Sequence, residues 1–286
     1  MFRRLLLIAF LFSIFSTCRV GAAPAINGHL KTFNGNYEKP PLSLLDDGFF
    51  SANSQRLSLK HKFAENLAAH LALDNLLLYS DPAGQVNLPG DSPNRRLDME
   101  HDWNRGAQWS AQLTVDRLSL QGSFASFDWS IGRQAIGFGR IVIFSPLDIV
   151  APFAPDAIDT DTRPGVDAVR GIHYFGLGGQ VGGTVVFGPD TDGNSYLLTL
   201  TDNRSGIDLL GIGGILRDRE VAGLGFAGSL GPLGIKAEAS SYRGKNTGLP
   251  GGDLHDDFTI GALELWYRFA NSVVLITEYL YNGAGA

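Results

Sequence analysis

The chain has 286 residues and a net charge of −6, and only 18% of its residues are charged, below the roughly one quarter usual for soluble domains. The mild acidic charge is spread along the chain without a basic patch, which excludes a nucleic-acid-binding protein. Beyond the N-terminus no segment holds about 18 uninterrupted apolar residues, which excludes a membrane protein built from transmembrane helices.

The first 25 residues have the layout of a secretory signal peptide. Arg3 and Arg4 precede an apolar run at 5–15, and small residues predict cleavage after Ala25. The apolar run is shorter than the roughly 20 residues that a membrane-spanning helix needs. The only cysteine, Cys18, lies inside this segment. The mature chain is therefore predicted to contain neither a disulfide nor thiolate chemistry.

From residue 26 onwards the dominant pattern is alternation of apolar and polar residues in segments of about ten, separated by Gly, Asn and Asp. In 109–115 the odd-numbered residues are apolar and the even-numbered ones polar. This order slips at Asp116 and Arg117, which predicts a β-bulge. Similar alternation at 235–242 and 262–269 extends the pattern to the end of the chain. The sequence therefore predicts an all-β protein.

Short turns alternate with long connections along the chain. Thirteen strands are predicted, near residues 28, 51, 67, 109, 124, 166, 179, 194, 205, 219, 235, 257 and 272. Outer-membrane barrels have short turns at one end and long loops at the other, so we predict one antiparallel transmembrane β-barrel over residues 26–286. Bacterial barrels usually have an even strand number. We therefore expect 14 or more strands in a complete chain, and interpret this sequence as truncated at its C-terminus. A secreted soluble β-sandwich with a binding role is the alternative fold.

The longest connection, residues 135–165, is expected to fold into the lumen and narrow it, because loops longer than about 15 residues are usually functional. The candidate constriction residues are the charged side chains in and beside it: Arg133, Arg140, Asp148, Asp156, Asp159, Asp161, Arg163, Asp167 and Arg170. Fixed charges at a narrow point select ions and polar solutes. Alternatively, Arg–carboxylate pairs among these residues pin the loop to the barrel wall.

The same stretch carries a family resemblance. Its motifs are IGRQ at 131–134, SPLD at 145–148, PFAP at 152–155 and RPGVDAVR at 163–170, with weaker matches in INGHLKTFN at 26–34 and ITEYLYNG at 276–283. In this combination the sequence resembles a broad group of bacterial outer-membrane porin-like barrels. The resemblance implies a Gram-negative outer-membrane channel and no particular substrate. The signal peptide predicts that the chain reaches this membrane by Sec-type export.

Three other patterns give no site. Residues 223–228 fit G-x-G-x-x-G, but no βαβ unit surrounds them, and alternating glycines on an inward face explain the pattern. DTDGN at 190–194 begins like a calcium loop, but Ser195 and Thr201 stand where Gly and Glu are needed, so a hairpin turn is predicted. The six histidines are scattered. No metal, cofactor or catalytic site is predicted.

We therefore expect a passive, non-enzymatic channel for small solutes, in contact with outer-membrane lipid. The main alternative is a structural barrel that sheathes a partner such as an electron-transfer protein. The sequence predicts no oligomeric state.

Overall fold

The computed structural model describes residues 23–38, 47–84, 86–90, 92–152, 161–217, 219–244 and 257–284. These residues form fourteen β-strands. The strands are β1 (Ala25–Tyr37), β2 (Gly48–Ala64), β3 (Leu67–Asp81), β4 (Glu100–Trp103), β5 (Trp109–Phe124), β6 (Phe127–Gln134), β7 (Val166–Phe175), β8 (Gly179–Val186), β9 (Ser195–Arg204), β10 (Ile207–Leu216), β11 (Arg219–Leu230), β12 (Leu233–Arg243), β13 (Asp257–Arg268) and β14 (Val274–Asn282). The described ranges contain no helix long and apolar enough to cross a membrane. Except for its last three residues, the predicted signal peptide lies outside the described residues, and it stays a prediction.

All strands belong to one antiparallel sheet. Thirteen of them pair in chain order from β1 to β14, and the short strand β4 pairs with β5 beside this path. In the described residues the outermost strands, β1 and β14, are not paired with each other, so the sheet is an open barrel. A sandwich needs two sheets packed face to face, and this single meander is a different architecture.

The thirteen predicted strands correspond to the thirteen-stranded path. The strand that the sequence did not predict is β4, whose four residues are too few to show alternation. Tight turns such as 125–126 and 205–206 join strands at one end, called here the short-turn end, where Ala125 and Ser205 have φ of 49° and 55°. The long connections 82–108 and 135–165 lie at the opposite end.

The β-bulge predicted in β5 is confirmed. Ala72 of β3 pairs with Arg117, whereas the next residue, Leu73, pairs with Val115, so Asp116 is the extra residue. An extra residue reverses the alternation beyond it. As a result Asp116 and Arg117, although consecutive in sequence, are both buried on the inner side, with 3% and 6% of their surfaces exposed.

The two faces of the sheet differ in what covers them. On β11, Val221 is buried while Leu224 is 72% exposed. The hydrophobic core lies against the inner face, where apolar residues of the 135–165 connection pack on the wall strands. The core members are Ile136, Phe138, Leu147, Ile149, Val150 and Ala151 from the connection, and Val166, Ala168, Val186, Leu197, Leu210, Ile212, Leu216, Val221 and Tyr242 from the wall. The outer face remains uncovered and apolar.

Candidate constriction inside the barrel

The connection 135–165, called here the constriction loop, is anchored by one fully buried leucine. Leu147 has no exposed surface, and its two methyl groups lie over Gly223 and Gly225 of β11. A Cβ at Gly223 would lie 2.5 Å from Leu147 Cδ2, and one at Gly225 would lie 2.8 Å from Cδ1. Real Cβ atoms do not approach so closely, so larger residues at these positions would displace Leu147. The glycine pattern of 223–228 is therefore a socket on the inner face.

Three glutamates on neighbouring strands face the constriction loop. Glu238 lies on β12, Glu264 on β13 and Glu278 on β14, and Glu264 pairs directly with Glu278 across the two strands. Glu264 also forms an ion pair with Lys236, whose Nζ lies 2.7 Å from Glu264 Oε1. Glu238 and Glu264 are 3% and 1% exposed. We call these three residues the glutamate row.

The glutamate row binds the backbone of the constriction loop. The N–H groups of Arg140 and Ile141 donate to Glu238 Oε1 at 2.5 and 3.2 Å, and that of Val142 donates to Glu264 Oε2 at 2.9 Å. The next two N–H groups, of residues 143 and 144, donate to Glu278 at 3.0 and 3.2 Å. A segment outside the sheet ladder must find other acceptors for its N–H groups, and bonds to carboxylates are among the stronger ones. Five successive N–H groups are thus held by one row of side chains.

Two of the candidate charges from the sequence, Arg133 and Asp167, form a buried ion pair. Arg133 Nε donates to Asp167 Oδ1 at 2.8 Å, and the two residues are 1% and 5% exposed. Arg133 also donates to the carbonyl of Val115 at 3.0 Å and to that of Leu97. Asp167 Oδ2 accepts the N–H groups of Arg96 and Leu97, both at 2.8 Å. The pair therefore fixes the connection 82–108 to the wall strands.

The connection 82–108 is a second inward loop, which the sequence analysis did not assign a role. Asn94 donates its side-chain amide to the carbonyl of Val150 in the constriction loop. Arg95 Nε donates to the carbonyl of Gly165 at 2.9 Å, and Arg96 Nε donates to that of Gly188 at 2.6 Å. The second loop therefore braces the constriction loop. Its length and its adjacent arginines were the available signals.

A cluster of charges on β2, β3 and β5 faces the two loops. Arg56 forms ion pairs with Asp74 at 2.6 Å and Asp116 at 2.8 Å. Arg95 of the second loop pairs with Glu100 and lies 3.5 Å from Asp116. No local sequence pattern reveals this cluster, because its members come from four separate segments. The only sequence signals were the predicted bulge at Asp116 and Arg117 and the position of Arg56 on the polar face of its alternating strand.

A cavity of about 500 Å³ lies between this cluster and the two loops. Arg56, Asp74 and Asp116 line it from the wall, residues 150–152 line it from the constriction loop, and Arg217 lines it from the β10–β11 turn. Polar and charged groups of both signs thus surround an open space beside the constriction loop.

The remaining described candidates lie in different places. Arg163 forms an ion pair with Asp148 and donates to the carbonyl of Ala151 at 2.8 Å, which closes the loop on itself. Burial raises the pKa of the Asp148 carboxyl, and the bond from Arg163 opposes that shift. Asp161 pairs with Lys31 of β1 at 2.7 Å.

Arg140 and Arg170 lie on the short-turn side of the constriction loop. Arg140 Nη1 lies 3.5 Å from Asp208 Oδ2, and the Arg170 guanidinium lies 5.7 Å from the centre of the Phe138 ring. Asp156 and Asp159 lie outside the described residues. The described ranges contain no group of three or more His, Cys, Asp or Glu side chains arranged to hold a metal ion.

No protein-family model matches the sequence, and no curated protein sequence matches it. Solved structures similar to this one include OmpF from Salmonella typhi in complex with daunomycin, with a TM-score of 0.53 and 9% identity, covering 92% of this chain and 81% of that chain. OmpT of Vibrio cholerae in its trimer form has a TM-score of 0.41 and 13% identity, covering 91% and 89%. A variant of the porin from Rh. blastica has a TM-score of 0.38 and 11% identity, covering 92% and 96%. The fold assignment depends on the first, since the other two superpose less well. The chain therefore has a porin-like antiparallel β-barrel fold.

Proposed function

We propose that this chain forms a passive diffusion channel for small solutes in the bacterial outer membrane. The observation that carries the proposal is the constriction loop, held on the inner face by the glutamate row and by Leu147 in its glycine socket. A loop fixed at several points narrows a lumen permanently, so solutes are selected by size and polarity. Such passage needs neither catalysis nor a cofactor.

The outer face suits contact with lipid. Leu198 and Leu200 on β9 are 67% and 56% exposed, and Leu224 on β11, two strands away in the sheet, is 72% exposed. In water such a patch is unfavourable, whereas outward-facing apolar residues form the membrane band of outer-membrane barrels. The uncovered outer face is therefore the part of the chain that we place in the membrane.

A sheath for a folded partner would need a wide, empty interior. Here two loops enter the interior and contact each other through Asn94 and Val150. The space beside them measures about 500 Å³, which is the size of a small-molecule pocket. The filled interior favours small solutes over a protein partner.

Liposome swelling tests the proposal with neutral solutes, so the result does not depend on whether the channel prefers anions or cations. Liposomes that contain the refolded chain are transferred into iso-osmotic solutions of neutral sugars of increasing size, with protein-free liposomes as the control. We expect rapid swelling with monosaccharides and progressively slower swelling with larger oligosaccharides. Absence of swelling with every sugar would overturn the channel proposal.

A further inference from the structure

The cavity of about 500 Å³ beside the constriction loop has charged groups of both signs in its lining. Its arginines and carboxylates are Arg56, Arg95, Arg217, Asp74, Glu100 and Asp116. Because arginines and carboxylates are equal in number among these described residues, their count favours neither cations nor anions. The position of each charge, and the partners it already has, decide which solute fits.

Most of these charges form one cluster of ion pairs on the side of β2 to β5. Asp116 lies 2.8 Å from Arg56 and 3.5 Å from Arg95. It also forms an ion pair with Arg117, which is not part of the lining. Glu100 forms an ion pair with Arg95. The negative charges of Asp116 and Glu100 are therefore balanced within the cluster.

Asp74 is the carboxylate of this cluster that keeps room for a further donor. Within the described residues its ion pair is with Arg56, at 2.6 Å, and Arg56 is shared with Asp116. The Asp74 side chain is 34% exposed, compared with 4% for Asp116. A carboxylate has about four acceptor positions, so Asp74 can bind a cationic group of a solute in addition to Arg56.

Arg217 lines the cavity from a different part of the barrel. It follows β10 in the turn to β11, and the strands β6 to β9 separate β10 from β5 in the sheet. In the part of the chain that the structure describes, Arg217 has no ion pair of 4.0 Å or less. Burial lowers the pKa of its guanidinium, and the nearby Arg219 lowers it further. The charged form is therefore poorly compensated, and an anionic group of a solute would supply the missing partner.

We propose that this cavity binds small zwitterions such as free amino acids, with Arg217 holding the carboxylate of the solute and Asp74 holding its ammonium group. The two ends carry opposite charges that are incompletely compensated, and each suits one end of a zwitterion. The volume of the cavity lies within the range of small-molecule pockets. The inference rests on the channel function proposed above for the route by which a solute reaches the cavity, and it names a solute class.

Alanine, propionate and ethylammonium are matched probes of this site. Propionate lacks the ammonium group of alanine, and ethylammonium lacks its carboxylate. Their dissociation constants are measured by saturation-transfer NMR with the refolded chain in detergent micelles at neutral pH. We expect alanine to bind about tenfold more tightly than either ion, because each ion forgoes one charged hydrogen bond.

Two variants test the two ends of the site separately. Arg217 has φ of 50°, a conformation that Asn tolerates, so R217N should fold, and D74N keeps the shape of the side chain. In R217N we expect alanine to bind about tenfold more weakly and ethylammonium to bind as before. In D74N alanine should weaken similarly, whereas propionate should bind as before.

A third variant fills the cavity without touching either charge. Gly90 lines the cavity, and a Cβ added there meets no heavy atom within 4 Å, so G90F should abolish the binding of alanine. The control is R204Q, which changes an arginine whose side chain is 80% exposed at the short-turn rim and should leave alanine binding unchanged.

The inference would be overturned if alanine bound no more tightly than propionate or ethylammonium. Unchanged alanine binding in R217N, D74N and G90F would overturn it as well. A chain that swells liposomes with sugars but does not prefer alanine would leave the channel standing and refute only this inference. Conversely, preferred binding of alanine by a chain that swells no liposomes would refute only the channel.

Discussion

At the scale of single residues, the structure separates charges that hold the fold together from charges that meet the lumen. Arg133 and Asp167 are almost fully buried and bind the second loop, so we assign them the structural role of holding this loop in position. The sequence singled out both residues, but their neighbours became visible only through contacts 34 to 71 residues apart. Such contacts depend on strand register, which alternation in one strand does not reveal.

Leu147 is the buried apolar anchor of the constriction loop. Replacing Leu147 with Ala would empty the socket over Gly223 and Gly225 and should destabilise docking by about 2–5 kcal/mol, as for other buried leucines. Hydrogen exchange at the N–H groups of 140–144 measures this, and we expect faster exchange in L147A. The matched control is L224A, which changes a leucine on the outer face of β11, the strand that carries Gly223 and Gly225. Equal protection in L147A and the wild type would show that the socket does not hold the loop.

Asp148 is expected to make the stability of the folded chain depend on pH. Because burial raises its folded pKa, the folded chain binds more protons than the unfolded chain between the ordinary carboxyl pKa of about 4 and the raised value. Its contribution to stability is therefore complete at low pH and is lost as pH rises through the raised pKa. In D148N this loss should vanish. Denaturant midpoints measured from pH 4 to 8 test it, and identical pH slopes in both chains would contradict the assignment.

At the scale of elements, the constriction loop is held chiefly through its backbone. The glutamate row explains why the segment 140–144 could not be assigned a contact from its own sequence: the interacting groups there are N–H groups, which every residue except proline has. The acceptors lie 97 to 135 residues further along the chain, on three strands. Alternation did place Glu238 and Glu264 opposite their apolar neighbours, but it did not show that they face the same loop.

The glutamate row makes a prediction of its own. In the triple variant E238Q/E264Q/E278Q, neutral amides replace carboxylates, and hydrogen bonds to the loop lose their charge-assisted strength. We expect a mobile loop, seen as frequent current fluctuations and faster proteolysis within 140–165. The variant E220Q, changed at an exposed residue of β11, is the control. A triple variant with quiet currents and wild-type protease resistance would show that the row is dispensable.

At the scale of the whole molecule, the meander follows from local pattern and the filled interior does not. Period-two alternation and turn residues predict the thirteen strands and the bulge at Asp116, because both are properties of neighbouring residues. The second inward loop, the 500 Å³ cavity and the cluster around Arg56 arise where four segments meet, which no local pattern encodes. The sequence therefore predicts the class of the fold well and the lining of its lumen poorly.

The channel that we propose is one whose conducting lumen is narrowed by the constriction loop. Single-channel conductance of the wild-type chain and of a variant lacking residues 146–163 tests it most directly, in planar bilayers at 1 M KCl, where surface charges are screened. With the loop shortened, Leu147 and the Asp148–Arg163 pair are lost, and we expect a clearly larger unitary conductance. An equal conductance in the two chains would contradict it.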